Sequence, residues 1–316
     1  MADKKIIAVV GATGAQGGGL VKAILEDKSG EYGVRALVRD PNSDKAKALA
    51  QKGAEVVKAN LDDPASVKAA FKGAYGAFCV TFFWDHMSPD KEREHVKVMA
   101  EAAKEAGLKH VVWSTLEDTR KWVPLDDARM PTLMDKYKVP HFDAKGESDK
   151  VFADLGVPTT NLLTSFYWDN FIHFGMGPKK NESGEYQIVI PMDTKKLPGI
   201  AAKDIGRCAF GVFKQGPKFV GQTIGIAGEH LSGAEMAKSM SAKLGIEVKF
   251  QSVEPEVYRS FGFPGADDLG NMFQFKRDFE DDFRKPRDPA FAKSLNPSLQ
   301  SFDTWLQNNK TKIPIE

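Results

Sequence analysis

The sequence predicts an α/β fold: a doubly wound parallel sheet followed by a smaller C-terminal mixed α/β domain. Three observations carry that expectation. Short β-rich runs alternate with helix-period stretches through the first half of the chain. The runs are continuously apolar rather than alternating. A glycine triplet separates the first run from the first helical stretch. Strand–helix alternation of this kind builds βαβ units, and strands covered on both faces are apolar throughout.

The β-rich runs fall at residues 6–10, 34–38, 55–58, 76–81, 110–115 and 159–163. Between them, Leu20, Val21, Ile24 and Leu25 share one helical face, as do Val96, Met99, Ala100 and Ala103. Asp62-Asp63-Pro64 and Ser88-Pro89 each offer a capping side chain followed by a proline in the first turn. The charges of residues 89–97 are mixed in sign and read as a solvated helix face. Residues 116–142 hold three prolines and break the rhythm. A long irregular excursion of this kind usually walls a site. After about residue 166 Gly and Pro become frequent, and short β-rich runs at 187–191, 222–227 and 248–253 surround a helix at 232–244. The expected division is a domain over 1–165 and a smaller one over 166–316, with some exchange of chain between them.

The 316 residues carry 44 Lys and Arg against 43 Asp and Glu, a net +1, which gives no electrostatic reason to expect a nucleic-acid surface. Two cysteines, Cys79 and Cys208, do not make a disulfide framework. No apolar run has the length of a membrane helix, and the first residues lack the long apolar core of a signal peptide. A cytoplasmic protein without direct nucleic-acid or membrane contact is therefore expected, with nuclear entry left open. The six histidines and two cysteines show no metal-ligand spacing, so no metal is expected.

Gly11-Ala12-Thr13-Gly14-Ala15-Gln16-Gly17 follows the first β-rich run and opens the first helix. Glycines there let the chain turn sharply and let backbone amides approach a pyrophosphate, while the helix N-terminus supplies free N–H donors. The pattern predicts a Rossmann-type dinucleotide site. The second run ends at Arg39, where an NAD site usually has an acidic residue for the ribose. A guanidinium can fork onto a 2′-phosphate, so NADP is favoured, with Lys45 and Lys47 close behind. Asp40 is the competing residue, since it could face the ribose instead.

None of the six tyrosines is followed four residues later by lysine, so the Tyr-x-x-x-Lys pair of ordinary short-chain reductases is missing. The nearest match is His141-Phe142-Asp143-Ala144-Lys145, at or just before the start of a helix. Lys145 keeps the lysine's place and suits the nicotinamide ribose; His141 takes the tyrosine's place and is an acid/base candidate. Ser114, ending the fifth run, is a third candidate catalytic residue. Phe82-Phe83-Trp84 and Phe166-Tyr167-Trp168 follow two strand ends and read either as pocket walls or as core.

On these residues the chain resembles the NmrA-like family of atypical short-chain dehydrogenase/reductases. The likeness runs from Gly11-Ala12-Thr13-Gly14-Ala15-Gln16-Gly17-Gly18 through Arg39-Asp40-Pro41, His141-Phe142-Asp143-Ala144-Lys145-Gly146-Glu147, Asp204-Ile205-Gly206 and Gly221-Gln222-Thr223-Ile224-Gly225. Its most specific part is Gly262-Phe263-Pro264-Gly265-Ala266-Asp267-Asp268-Leu269-Gly270-Asn271-Met272-Phe273, and it continues to Leu295-Asn296-Pro297 and Trp305-Leu306. The resemblance implies NADP(H) contacts at Gly11, Thr13, Gly14, Ala15, Gln16, Arg39, Asn60, Thr81, Phe82, Phe83, Lys145, Tyr167 and Asn170. It also implies a redox-sensing regulator with little or no dehydrogenase activity, a regulatory partner protein and a homodimer. A redox-sensing member of the family has a basic residue in the helix after the fourth strand, where Glu94 stands here. The alternative is an NADPH-dependent reductase of a quinone or planar phenolic or carbonyl compound that uses Lys145 without a tyrosine.

Overall fold

The computed structural model describes residues 4–316. Strands β1 (Lys5–Val9), β2 (Tyr32–Val38), β3 (Glu55–Lys58), β4 (Gly76–Cys79), β5 (His110–Thr115) and β6 (Thr159–Leu163) alternate with helices α1 (Ala15–Glu26), α2 (Asp44–Gln51), α3 (Pro64–Phe71), α4 (Pro89–Glu105) and α5 (Pro140–Asp154). The helix starts carry the caps that the sequence marks. Asp63 and Ser88 accept first-turn N–H groups of α3 and α4, and Pro64 and Pro89 occupy the first turn where no N–H is needed; Ser43, not singled out from the sequence, caps α2 in the same way.

Later elements are shorter. They are β7 (Phe166–Tyr167), α6 (Asn170–His173), β8 (Lys179–Lys180), β9 (Tyr186–Val189), β10 (Leu197–Ile200) and α7 (Ala202–Lys214). Then come β11 (Thr223–Gly225), β12 (Glu229–Leu231), α8 (Gly233–Leu244), β13 (Val248–Gln251) and α9 (Pro255–Arg259). The chain closes with α10 (Ala266–Asp278), α11 (Glu280–Arg284), α12 (Pro289–Leu295) and α13 (Phe302–Asn309).

The main sheet is seven-stranded with order β11-β6-β5-β4-β1-β2-β3, and its pairs are parallel. The order reverses between β1 and β4. The crevice outside the carboxyl ends of those two strands is where such sheets take ligands. The run at 222–227, read with the smaller unit, instead sends Thr223–Gly225 back to pair with β6 at the edge of the main sheet. Two three-stranded sheets, β12-β10-β7 and β13-β9-β8, make up the rest.

Three cores follow from this layering. One face of the main sheet packs Ile7, Val9, Phe78, Val112 and Leu162 against α1 and α7. The other packs Ala8, Ala77, Cys79, Val111 and Trp113 against α3, α4 and α5. The third lies among the small sheets and the late helices. It includes Phe166, Trp168, Phe171, Phe302 and Trp305, together with Val123, Met130 and Val139 from the 116–142 excursion. Phe166 and Trp168 are therefore core rather than pocket wall. No helix among the described residues is long and apolar enough to cross a membrane.

The excursion is pinned at both ends by one buried carboxylate. Asp143 accepts from Thr119 N–H and hydroxyl at 2.7 and 2.6 Å and from Lys138 and Val139 N–H at 2.8 and 3.0 Å. Helix α10 holds its middle, where Asn271 Nδ2 donates to the carbonyls of Pro131 and Lys138 and Gln274 Nε2 donates to that of Arg129.

Candidate functional site

The chain leaves β1 through Gly11, whose φ of +65° suits glycine best. Gly14 N–H closes the turn onto Gly11 O at 2.8 Å. A Cβ on Gly17 would stand 2.3 Å from Gly11 O, so only glycine lets α1 begin this close to the loop. Gly14, which caps α1, offers no side-chain acceptor, and the first turn carries no acidic residue. The first-turn N–H groups and the positive end of the helix dipole are thus left for an outside anion. Thr13, Gly14 and Ala15 are exposed around this cradle. It has the shape and charge that a pyrophosphate needs.

Gln16 joins the cradle to the neighbouring strands. Its Nε2 donates to Tyr167 Oη at 2.6 Å, and its Oε1 accepts from Ser114 Oγ at 2.8 Å. Burial pushes the Tyr167 phenol up to about 12, so it remains a neutral hydroxyl. Asn170, half-buried, opens α6 just beyond it. Arg39 follows β2 and is largely exposed, with Nη1 3.0 Å from Asp85 Oδ2. Asp40 uses its carboxylate locally, accepting the Asn42 N–H at 2.9 Å. Asn60 uses its side-chain amide oxygen in a similar way after β3, accepting the Asp62 N–H at 3.2 Å. Lys45 and Lys47 are exposed on α2.

Across the crevice, the chain leaving β4 reaches Thr81, Phe82 and Phe83. Thr81 Oγ1 bonds both Lys145 Nζ and Glu92 Oε1, and Lys145 Nζ pairs with Glu92 Oε1 at 2.7 Å. Lys145 also lies over the Trp113 ring at 5.0 Å. Glu92 is fully buried, which corrects the reading of 89–97 as a solvated face; Glu94 is the exposed one. Burial pushes the Glu92 carboxyl up, but Lys145, His86 and Thr81 together outweigh it and hold it at about 2. Its other oxygen faces His86 Nε2 at 3.4 Å, and neither atom has a hydrogen-bond partner among the described residues.

Glu92→Gln tests that balance. It should lower stability by about 1–3 kcal/mol in urea titration at pH 7. The folded carboxyl lies below its ordinary 4.5, so the ionised form is what the fold favours. The loss should be full above that value and vanish as pH falls towards 2. A loss unchanged at pH 3 would show that the carboxylate charge is not what matters.

His141 lies inside α5 rather than before it, one turn ahead of Lys145. Its Nδ1 is 2.6 Å from Asp268 Oδ1, and its backbone N–H donates to Asp268 Oδ2 at 3.2 Å. The ring packs on Trp84 and Phe83 at centroid distances of 4.9 and 6.0 Å. Phe83 is buried, whereas Phe82 is 58% exposed and Met87 37%. The loop before α10 covers Trp84 closely, since a Cβ on Gly265 would meet its ring at 2.7 Å.

The structure therefore gathers Ser114, Gln16 and Tyr167 into one cluster and Thr81, Lys145 and Glu92 into another. Two members were missed from sequence. Glu92 sits at helical spacing from Val96, Met99 and Ala103, so a carboxylate within an apolar stripe was the available signal. Asp268 had no local signal, being 127 residues from its partner.

The NmrA-like family profile matches residues 3–306. The chain belongs to the NmrA-like family. One relative is the NmrA-like family domain-containing oxidoreductase FrzB of Cladobotryum sp, 29% identical over 85% of this chain and 83% of its own length. Two solved structures share the fold. The negative transcriptional regulator NmrA in complex with NADP has a TM-score of 0.77 at 23% identity, covering 97% of this chain and 95% of that one. The Citrobacter sp. triphenylmethane reductase complexed with NADP(H) has a TM-score of 0.73 at 20% identity, covering 97% and 99%.

Proposed function

We propose that this NmrA-like protein binds NADP(H) in the crevice between β1 and β4 and reduces a planar, apolar carbonyl or quinone. The observation that carries the reading is an anion cradle that has no capping side chain of its own, with Ser114 bonded to its Gln16 and Lys145 bonded to Thr81 just beyond β4. When bound, NADPH supplies the hydride. The first-turn amides of α1 hold the pyrophosphate, Arg39 exchanges Asp85 for the 2′-phosphate, and Lys145 turns from Glu92 to the ribose. Asn60 is assigned to the adenosine side, and Thr81, Phe82, Tyr167 and Asn170 to the nicotinamide side. Phe82, Trp84 and Met87 form an apolar rim that suits a flat substrate and keeps water from the transfer. The relatives named oxidoreductases and the NADP(H)-bound reductase support this reading.

A second reading is a redox-sensing regulator that acts through a partner protein, with or without homodimer formation. Gln16, Lys145 and Arg39 each have an internal partner with which an entering cofactor would compete. Occupancy would then rearrange the site, and the likeness to a negative transcriptional regulator supports that use.

The test is thermal stability with NADP⁺, NADPH, NAD⁺ and NADH, followed by NADPH oxidation with menadione and p-nitrobenzaldehyde. A ligand that binds the folded state raises its stability in proportion to RT ln(1 + [L]/Kd). Selective stabilisation with NADPH consumption supports the reductase, selective stabilisation without turnover supports the regulator, and no stabilisation by any nucleotide overturns both. Arg39→Ala should weaken NADPH by about tenfold or more and leave NADH within about twofold. Equal losses for the two would remove the 2′-phosphate role.

A further inference from the structure

We infer that Asp268 and His141 form a proton-delivering pair in which the carboxylate from α10 fixes the imidazole and Nε2 faces the substrate. The inference rests on the reductase reading. α5 begins beside the carboxyl ends of the strands, and four residues of helix span about 6 Å. His141 therefore stands beyond Lys145 on the opening side of the same helix face. With Nδ1 held by Asp268 at 2.6 Å, the remaining ring nitrogen is the one free to exchange a proton. It has no hydrogen-bond partner among the described residues, and the side chain keeps 8% of its surface exposed. Phe83 and Trp84 fix the ring plane from the β4 side.

Asp268 has a second role that must be separated from this one. Val139, the residue capping α5, has no side-chain hydrogen bond. The Asp268 carboxylate supplies the missing acceptor through the His141 N–H. Both oxygens are thus engaged, one in capping and one in setting the ring. Buried charge-assisted bonds of this kind define a tautomer as well as an orientation.

In the step itself, the carbonyl carbon of the substrate gains the hydride that NADPH supplies, and the C=O π bond breaks. Its oxygen takes the proton from Nε2–H of the imidazolium. The products are the alcohol, NADP⁺ and a neutral imidazole that keeps its Nδ1 proton on Asp268. Solvent then returns a proton to Nε2. His141 is the proton donor, and Asp268 is a positioning residue.

The experiment has two arms. Long-range ¹⁵N–¹H spectra of the full chain, with His141→Gln to assign the resonance, read which nitrogen carries the proton in neutral imidazole. The wild type should show the proton on Nδ1, and Asp268→Asn should move population to Nε2 while its amide oxygen keeps the cap. Nitrogen shifts identical in wild type and Asp268→Asn would overturn the pair without any reference to activity. In the second arm, His141→Gln should lower kcat for p-nitrobenzaldehyde by about a hundredfold, and Asp268→Asn by about tenfold or more. Neither should change KM or NADPH affinity by more than about twofold. Turnover unaffected by His141→Gln would overturn proton delivery and leave the reductase standing. If the wild type turns over neither probe, the reductase reading and proton delivery both fall, and the nitrogen shifts then show whether Asp268 still sets the ring.

Discussion

Arg287→Ala is expected to lower the stability of the protein by about 3–5 kcal/mol, because it strands a largely buried carboxylate without its partner. Arg287 has no exposed surface. Its Nη1 and Nη2 reach the two oxygens of Glu117 at 2.5 and 2.9 Å, and Nε and Nη1 donate to the carbonyls of Thr164 and Phe283 at 2.8 Å each. The guanidinium also lies 3.7 Å over the Phe283 ring. One side chain thereby joins three segments: the chain leaving β5, the chain leaving β6, and α11. Lysine cannot make this fork, so Arg287→Lys should recover only a small part of the loss. Arg287→Met with Glu117→Leu should fare better than either single change, since no unpaired charge remains. Urea unfolding of the wild type, Arg287→Ala, Arg287→Lys, Arg287→Met, Glu117→Leu and the double variant measures this. A double variant that loses as much as the two single ones added together would show that the ion pair itself is not the source.

Those segments also mark what could be read from the sequence. The six strands of the first half and the phosphate loop follow from local pattern, because buried parallel strands and a glycine turn leave their chemistry in adjacent residues. Strand ends were less legible. The run at 76–81 stops at Cys79, since Val80 and Thr81 already turn into the crevice. Thr223–Gly225 is three residues long, and nothing in it tells whether β6 or a small sheet will be its neighbour. His141 and Lys145 were visible through their spacing. Their partners were not, for Glu92 hides among solvated charges, and Asp268 meets His141 only when α10 folds back onto α5. Trp168 and Tyr167 are neighbours in sequence with opposite fates, one in the third core and one on Gln16. A two-residue strand gives no periodicity from which to tell the faces apart.

Lys276→Met is expected to stabilise the protein at pH 6, on the order of 1–4 kcal/mol. The Lys276 side chain is buried among the rings of Phe142, Phe166, Phe273 and Phe283, with Nζ 5.2–5.9 Å from their centroids and 3.2 Å from Met272 Sδ. Burial pushes its ammonium down to about 7, and the nearby Arg287 adds repulsion that Glu117 only partly offsets. Ring faces attract a cation, but none of them accepts a hydrogen bond as water does. Above about pH 7 the unfolded chain holds a proton on this amine up to its ordinary 10.5, whereas the folded chain does not. Stability of the wild type must therefore rise with pH across that window, and below it the full penalty persists. Methionine has similar length and no charge to desolvate, so the variant should lose this slope. Its advantage should be largest at pH 6 and should shrink towards pH 10. Chemical denaturation at several pH values measures both features. A variant less stable than wild type at pH 6 would mean that the four rings satisfy the ammonium better than water does. Arg287→Ala links the two predictions, because it removes a repulsive neighbour. It should shift the onset of the pH-dependent rise upwards even as it lowers stability overall.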